Sequence, residues 1–173
     1  PTVGDWIALD RTTMRLAALY PRTSLFKRRN AGNTSRSQSI LANVDTVLIV
    51  TSANLDFNVA RLERYLALAF EAGVTPVIVI TKADLAEDAE TYAETARAIR
   101  PDLAALTLNA RSADVAGQLA PWLVKGQTIA LMGSSGVGKS TLVNALMGES
   151  VQDTGGIRED DAKGRHTTTA RAL

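Results

Sequence analysis

The residues with the clearest chemistry are Gly133-Ser134-Ser135-Gly136-Val137-Gly138-Lys139-Ser140, with Thr141 following. They fit G-x-x-x-x-G-K-[ST] at every fixed position. Glycines in this pattern let backbone N–H groups turn inward around a phosphate, and a helix starting at Lys139 aims its positive end at the same place. Lys139 is expected to reach the β- and γ-phosphates, and the Ser140 hydroxyl to ligate Mg²⁺. The pattern implies a nucleoside triphosphate with magnesium; it does not name the base.

Base choice is expected from Thr81-Lys82-Ala83-Asp84. A carboxylate placed there can accept two parallel hydrogen bonds from guanine N1–H and N2–H, a donor pair that adenine lacks. The Lys82 stem can lie over the base plane. The alternative is a polar strand-end turn with Asp84 capping a helix. A third turn, Asn109-Ala110-Arg111, offers backbone to guanine O6.

These turns need strands to position them. Residues 47–50 and 77–80 are unbroken aliphatic runs, as expected of strands covered on both faces. Residues 106–108 and 129–132 are two further candidates. Val59, Leu62, Leu66 and Phe70 recur at helical spacing, with Gly73 closing the run. Residues 87–99 carry Glu87, Asp88 and Glu90 early and Arg97 late, which suits the helix dipole. Asp114 can cap a short helix running towards Leu123, and a fourth helix is expected between Lys139 and Gly148. Strand then helix, four times over, predicts an α/β domain with a parallel sheet wrapped by crossovers. Ligands in such sheets sit at the carboxyl ends of the strands, here the turns after residues 51, 81, 109 and 132.

The first 29 residues read differently. Residues 3–9 and 14–20 suggest two short strands, followed by Leu25-Phe26 and the basic Lys27-Arg28-Arg29. So few strands cannot hold a core of their own, so they are read as the end of a small β-domain. Residues 30–43 are read as a linker, and 44–173 as the nucleotide-binding domain. Residues 1–36 carry a balance of +5 and residues 37–173 one of −4, together the net +1. A basic head on an acidic body suits a polyanionic partner for the head. The 173 residues contain no cysteine and one histidine, which excludes disulfides, thiolate zinc and multi-histidine metal sites from this stretch. No apolar run nears the roughly 20 residues a bilayer requires, so a cytoplasmic protein is expected.

The order of parts is unusual. Lys82 precedes Lys139 by 57 positions, whereas an ordinary G protein has its phosphate loop first. The chain resembles a circularly permuted GTPase, and more closely the ribosome-small-subunit-dependent GTPase A family (RsgA, also called YjeQ). The resemblance is carried by Asn43-Val44-Asp45, Arg61-Leu62-Glu63-Arg64-Tyr65-Leu66, the turn at 81–84, the loop at 133–142 and Gly164-Arg165-His166-Thr167-Thr168-Thr169. It implies a P-loop NTPase-type sheet, an upstream OB-fold of which residues 1–29 are the remnant, and a downstream zinc domain. It also implies GTP and GDP as ligands, ribosome-stimulated GTP hydrolysis, and a role late in maturation of the small ribosomal subunit, with its rRNA as partner. Association with a membrane is not expected, and a monomer is.

Two features depart from that pattern. Asp153-Thr154-Gly155-Gly156 has the letters of the D-x-x-G switch. It lies only 14 residues past Lys139, too close for the strand that should deliver it, so the second switch and the zinc domain are expected outside this chain. Thr168 and Thr169 are the candidates for the first-switch threonine that closes on Mg²⁺. His166 is by itself an ordinary loop histidine; the resemblance implies that it orients the attacking water. The competing readings are a large-subunit permuted GTPase, an adenine-specific P-loop kinase or ATPase, and a non-hydrolysing nucleotide-gated RNA-binding module.

Overall fold

The structure is a computed structural model that describes residues 1–29 and 37–148. Its centre is a four-stranded parallel sheet of β5 (Thr46–Ser52), β6 (Thr75–Thr81), β7 (Ala104–Thr107) and β8 (Ile129–Gly133), in the order β7-β6-β5-β8. All four expected strands are present. Every residue of β5 is buried, as is every residue of β6 except Thr75. The aliphatic runs follow from this, because water reaches neither face.

The connecting helices are α1 (Val59–Ala72), α2 (Ala89–Arg97), α3 (Val115–Leu119) and α4 (Lys139–Met147). The Asn58 side chain accepts from the Arg61 amide at 2.9 Å and so starts α1. Asp88 does the same for α2 through Thr91. Asp114 precedes α3, but its side chain caps no amide; the Gln118 amide bonds to its carbonyl instead. Alternate residues of the central strands separate into two apolar layers. Val47, Ile49, Ile78 and Ile80 pack with Leu62, Leu66, Ala93 and Ala96 of α1 and α2. Leu48, Val50, Val77 and Val79 pack with Val115, Leu119 and Leu142 of α3 and α4. Each Val, Leu or Ile among them, fully buried, contributes about 2 kcal/mol.

The two-faced arrangement follows from strand order. The chain steps outward from β5 to β6 to β7, then returns to β8 on the other side of β5. Right-handed crossovers therefore put α1 and α2 on one face and α3 on the other. The reversal lies between β5 and β8, and a crevice opens outside the carboxyl ends of strands at such a point.

Before the sheet, β1 (Ile7–Leu9) and β2 (Leu16–Leu19) form an antiparallel pair, and β3 (Leu25–Arg29) pairs with β4 (Ser37–Ala42). This corrects the linker reading for residues 37–42. They are a strand, and a boundary at 29/30 runs between two paired strands. Their polar start, Ser-Gln-Ser, hid a hairpin whose apolar end is buried. Phe26 of β3 is buried with Leu66 and Ala69, and Ile40 and Leu41 pack against the same layer. Asn43, at φ +56, donates to the Gly4 carbonyl at 2.9 Å and accepts from the Thr23 amide at 2.9 Å. It ties the first residues to the start of the sheet. Among the described residues no helix is long and apolar enough to cross a membrane.

Candidate nucleotide site

The phosphate loop leaves β8 at Gly133 and enters α4 at Lys139. Gly133 lies so close to β5 that a Cβ there would stand 2.2 Å from the Val50 carbonyl oxygen. Only glycine lets the two strands hold this spacing. Gly138 has φ +95, in the left-handed region that L side chains rarely adopt. No side chain caps α4, so the loop and first helical turn present the amide-lined cradle that anions occupy. The Lys139 ammonium donates to the Gly133 carbonyl at 3.1 Å and to the Ser134 carbonyl. That fixes the amine over the loop. Burial pushes its pKa down, and the nearby Asp56 carboxylate opposes the shift.

Thr81, Lys82 and Asp84 follow at the end of β6. Thr81 is fully buried. Its hydroxyl oxygen lies 2.5 Å from the Val137 carbonyl and 3.0 Å from the Thr51 carbonyl. The single hydroxyl proton serves one at a time, and the shorter contact is to the phosphate loop. Thr81 therefore acts as a tie beneath the site. Lys82 takes a left-handed conformation, φ +59, and starts a single 3-10 turn at Ala83–Leu85 that contains Asp84. Asp84 sits inside that turn and does not cap a following α-helix. Burial lowers the Lys82 pKa, again opposed by Asp56.

The third turn stands beside the second, since the Ala83 amide bonds to the Leu108 carbonyl at 3.4 Å. Asn109 Oδ1 accepts from the Arg111 amide at 2.9 Å, which shapes the turn, and Ala110 is buried beneath it. The structure thus brings the three motifs to one edge of one sheet, although they are spread over about 60 residues of sequence. His166, Thr168 and Thr169, and the segment at 153–156, lie outside the described residues.

A matching family model described as "RsgA GTPase" covers residues 19–173. The chain belongs to the RsgA GTPase family. Among RsgA proteins it is 57% identical to the "Small ribosomal subunit biogenesis GTPase RsgA" of Mesorhizobium japonicum, over 99% of this chain and 50% of that protein. It is 52% identical to "RsgA 2" of Vibrio parahaemolyticus, over 99% of this chain and 48% of that protein. The chain thus spans about half the length of the curated RsgA relatives it matches. Two solved structures share the fold. YjeQ from Thermotoga maritima has a TM-score of 0.64 at 22% identity, covering 95% of this chain and 58% of that one. YloQ, titled a circularly permuted GTPase, has a TM-score of 0.59 at 29% identity, covering 83% and 49%. The α/β sheet, with its base-site turn ahead of its phosphate loop, is that of a permuted GTPase.

Sequence reasoning missed one part of the site. Asp56 and Arg61 follow β5, the strand beside β8, and the Arg61 guanidinium lies 2.9 Å from the Asp56 carboxylate. The signal available in sequence was position alone: the turn after residue 51 lies at the carboxyl edge, where ligands bind.

Proposed function

We propose that this chain is the nucleotide-binding part of a GTPase that acts in late maturation of the small ribosomal subunit, with hydrolysis stimulated by the ribosome. The observation that carries the reading is the Thr81–Val137 contact, which joins the base-site turn to the phosphate loop across β5. One ligand can then engage both. Asp84 accepts from guanine N1–H and N2–H, the Lys82 stem covers the base, and the turn at 109–111 supplies backbone to O6. Backbone amides of residues 134–141 and the Lys139 ammonium hold the phosphates.

The cradle fits a magnesium nucleotide. Its amides are uncapped by side chains, and Ser140 in the first turn of α4 offers the hard hydroxyl oxygen that Mg²⁺ prefers. Ser140, with Thr168 or Thr169, would hold the ion, which offsets phosphate charge when bound. Water attacks the γ-phosphorus in line, the bond to the β–γ bridging oxygen breaks, and GDP and phosphate result. Lys139 stabilises the charge that gathers on the phosphate oxygens. His166 orients the water.

The β1–β2 pair supplies the end of an OB-fold, and Lys27 and Arg28 of β3 belong to the basic head that meets rRNA. The relatives' names carry the small-subunit assignment. The full-length protein is a cytoplasmic monomer with a separate zinc domain. Single-turnover GTP hydrolysis by the full-length protein, with and without small subunits, tests the reading. Faster hydrolysis with subunits is expected. Equal rates would contradict the ribosome-linked role, and no hydrolysis in either would leave a nucleotide-gated binding module.

A further inference from the structure

We propose that Trp6 and Tyr20, side by side on one face of the β1–β2 pair, form a stacking platform for unpaired RNA bases. This rests on the reading of the chain's basic head as the part that meets RNA, and it names the residues and the ligand chemistry.

The ladder places the two rings. Ile7 pairs with Leu19 and Ala8 with Ala18. The Tyr20 amide donates to the Trp6 carbonyl at 2.9 Å, so Trp6 and Tyr20 stand directly opposite one another. Successive side chains of a strand point to opposite faces. Ile7, Leu9, Leu16 and Leu19 therefore share one face, and the register shift after Ala8 keeps Leu16 opposite Leu9. Trp6, Ala8, Ala18 and Tyr20 share the other. A face made only of Ile and Leu is the one a β-domain turns to its core, which leaves the aromatic face outward.

That outward face is bare. Trp6 is 69% exposed and Tyr20 55%, and neither ring stacks on another ring or a cation among the described residues. Tryptophan is seldom left so open. The two alanines beside the rings leave room for flat groups to lie on them.

The hairpin is stiffened at both ends. Next to the rings, Arg22 donates to both Asp5 carboxylate oxygens, at 2.7 and 2.8 Å. At the turn, Asp10 Oδ1 accepts from the Thr12 and Thr13 amides and from the Thr13 hydroxyl. Both acids of residues 1–29 are thereby engaged. Arg11 and Arg15 are exposed and form no ion pair among the described residues. Free cations beside bare rings suit a polyanion that carries flat groups. Unpaired RNA offers open base faces of any sequence, whereas a duplex keeps its faces stacked.

The test is binding of the full-length protein to a fluorescein-labelled oligouridine and to an RNA duplex, with GDP affinity and melting temperature measured alongside. Trp6→Ala is expected to weaken oligouridine binding about tenfold with an unchanged salt slope. Trp6→Phe is expected to keep most of the affinity. Duplex binding and GDP affinity are expected to stay at wild-type values. Tyr20→Ala repeats the test from the opposite strand, and decides it should Trp6→Ala fail to fold. Unchanged oligouridine affinity in both alanine variants would overturn the platform and leave the RNA-facing reading in place. Equal losses for oligouridine and duplex would overturn it too, because a stacking platform has no use for a duplex. A wild-type dimer that Trp6→Ala splits, with oligouridine affinity unchanged, would give the face to a second copy of the chain instead. Wild-type protein that binds neither RNA would sink the RNA-facing reading itself.

Discussion

The Thr81 hydroxyl oxygen lies 2.5 Å from the Val137 carbonyl, 56 positions later in the chain. The residue ahead of Lys82 and Asp84 is thereby bonded to the loop between β8 and α4. On the proposed reading, base and phosphate recognition share one frame, and the Thr81 hydroxyl ties its two parts together.

Removing that hydroxyl tests the frame. Thr81→Val keeps the volume and leaves the Val137 carbonyl without this donor. The expected cost is about 1–2 kcal/mol of stability, with GDP affinity reduced roughly fivefold. Thr81→Ser restores the hydroxyl and is expected to recover most of both. Thermal melts and nucleotide titrations of the two variants check this.

Gly138 faces the same contact from the other side. Its φ is +95, and a Cβ would stand 3.3 Å from the Thr81 hydroxyl oxygen. Gly138→Ala meets backbone strain of about 1–2 kcal/mol and crowds the tie as well. GDP binding is expected to weaken by about tenfold or more, while the far-ultraviolet spectrum stays that of the native sheet. Unchanged affinity would show that the loop adopts another shape when occupied.

How much of the molecule is legible in its sequence depends on where the signal lies. Residues 47–50 and 77–80 are legible because burial on both faces leaves only aliphatic side chains. The phosphate loop is legible because its geometry demands glycine and lysine at fixed spacing. Strand β4 is not, since Ser37, Gln38 and Ser39 look like linker and only pairing with β3 makes them a strand. The Thr81 tie and the Asp56–Arg61 pair are not either. Both depend on which strand lies beside which, and a threonine or an aspartate in a turn carries no periodicity.

Asp84→Asn tests base selection by turning one acceptor into a donor. In the proposed site the carboxylate accepts from N1–H and N2–H of guanine, whereas an amide nitrogen can only donate, which suits a base with a carbonyl at C2. The variant is expected to lose about 100-fold in GDP affinity and to prefer xanthosine diphosphate. Competition between the two nucleotides for the variant measures this directly. Continued preference for GDP would place Asp84 away from the base.

The Asp5–Arg22 pair gives the chain's first residues a pH dependence. Arg22 donates to both Asp5 carboxylate oxygens, at 2.7 and 2.8 Å. The Asp5 pKa is lowered from 3.8 to about 2, chiefly by the Arg22 hydrogen bond. A depressed folded-state pKa stabilises the fold above the unfolded value, and that stability is lost as pH falls through the folded one. Asp5→Asn is therefore expected to melt below wild type at pH 7, with the gap closing between about pH 4 and 2. Melting curves across that range check it; a gap that stays constant down to about pH 2 would show that the pair adds no pH-dependent stability.

The most direct measurement is a competition titration of the full-length protein with GDP and ADP. The shared frame of Asp84, Lys82, Lys139 and the loop glycines predicts that GDP binds at least about 100-fold more tightly. Equal affinity for the two would contradict it, because the base-site turn and the phosphate loop would then not be reading one guanine nucleotide.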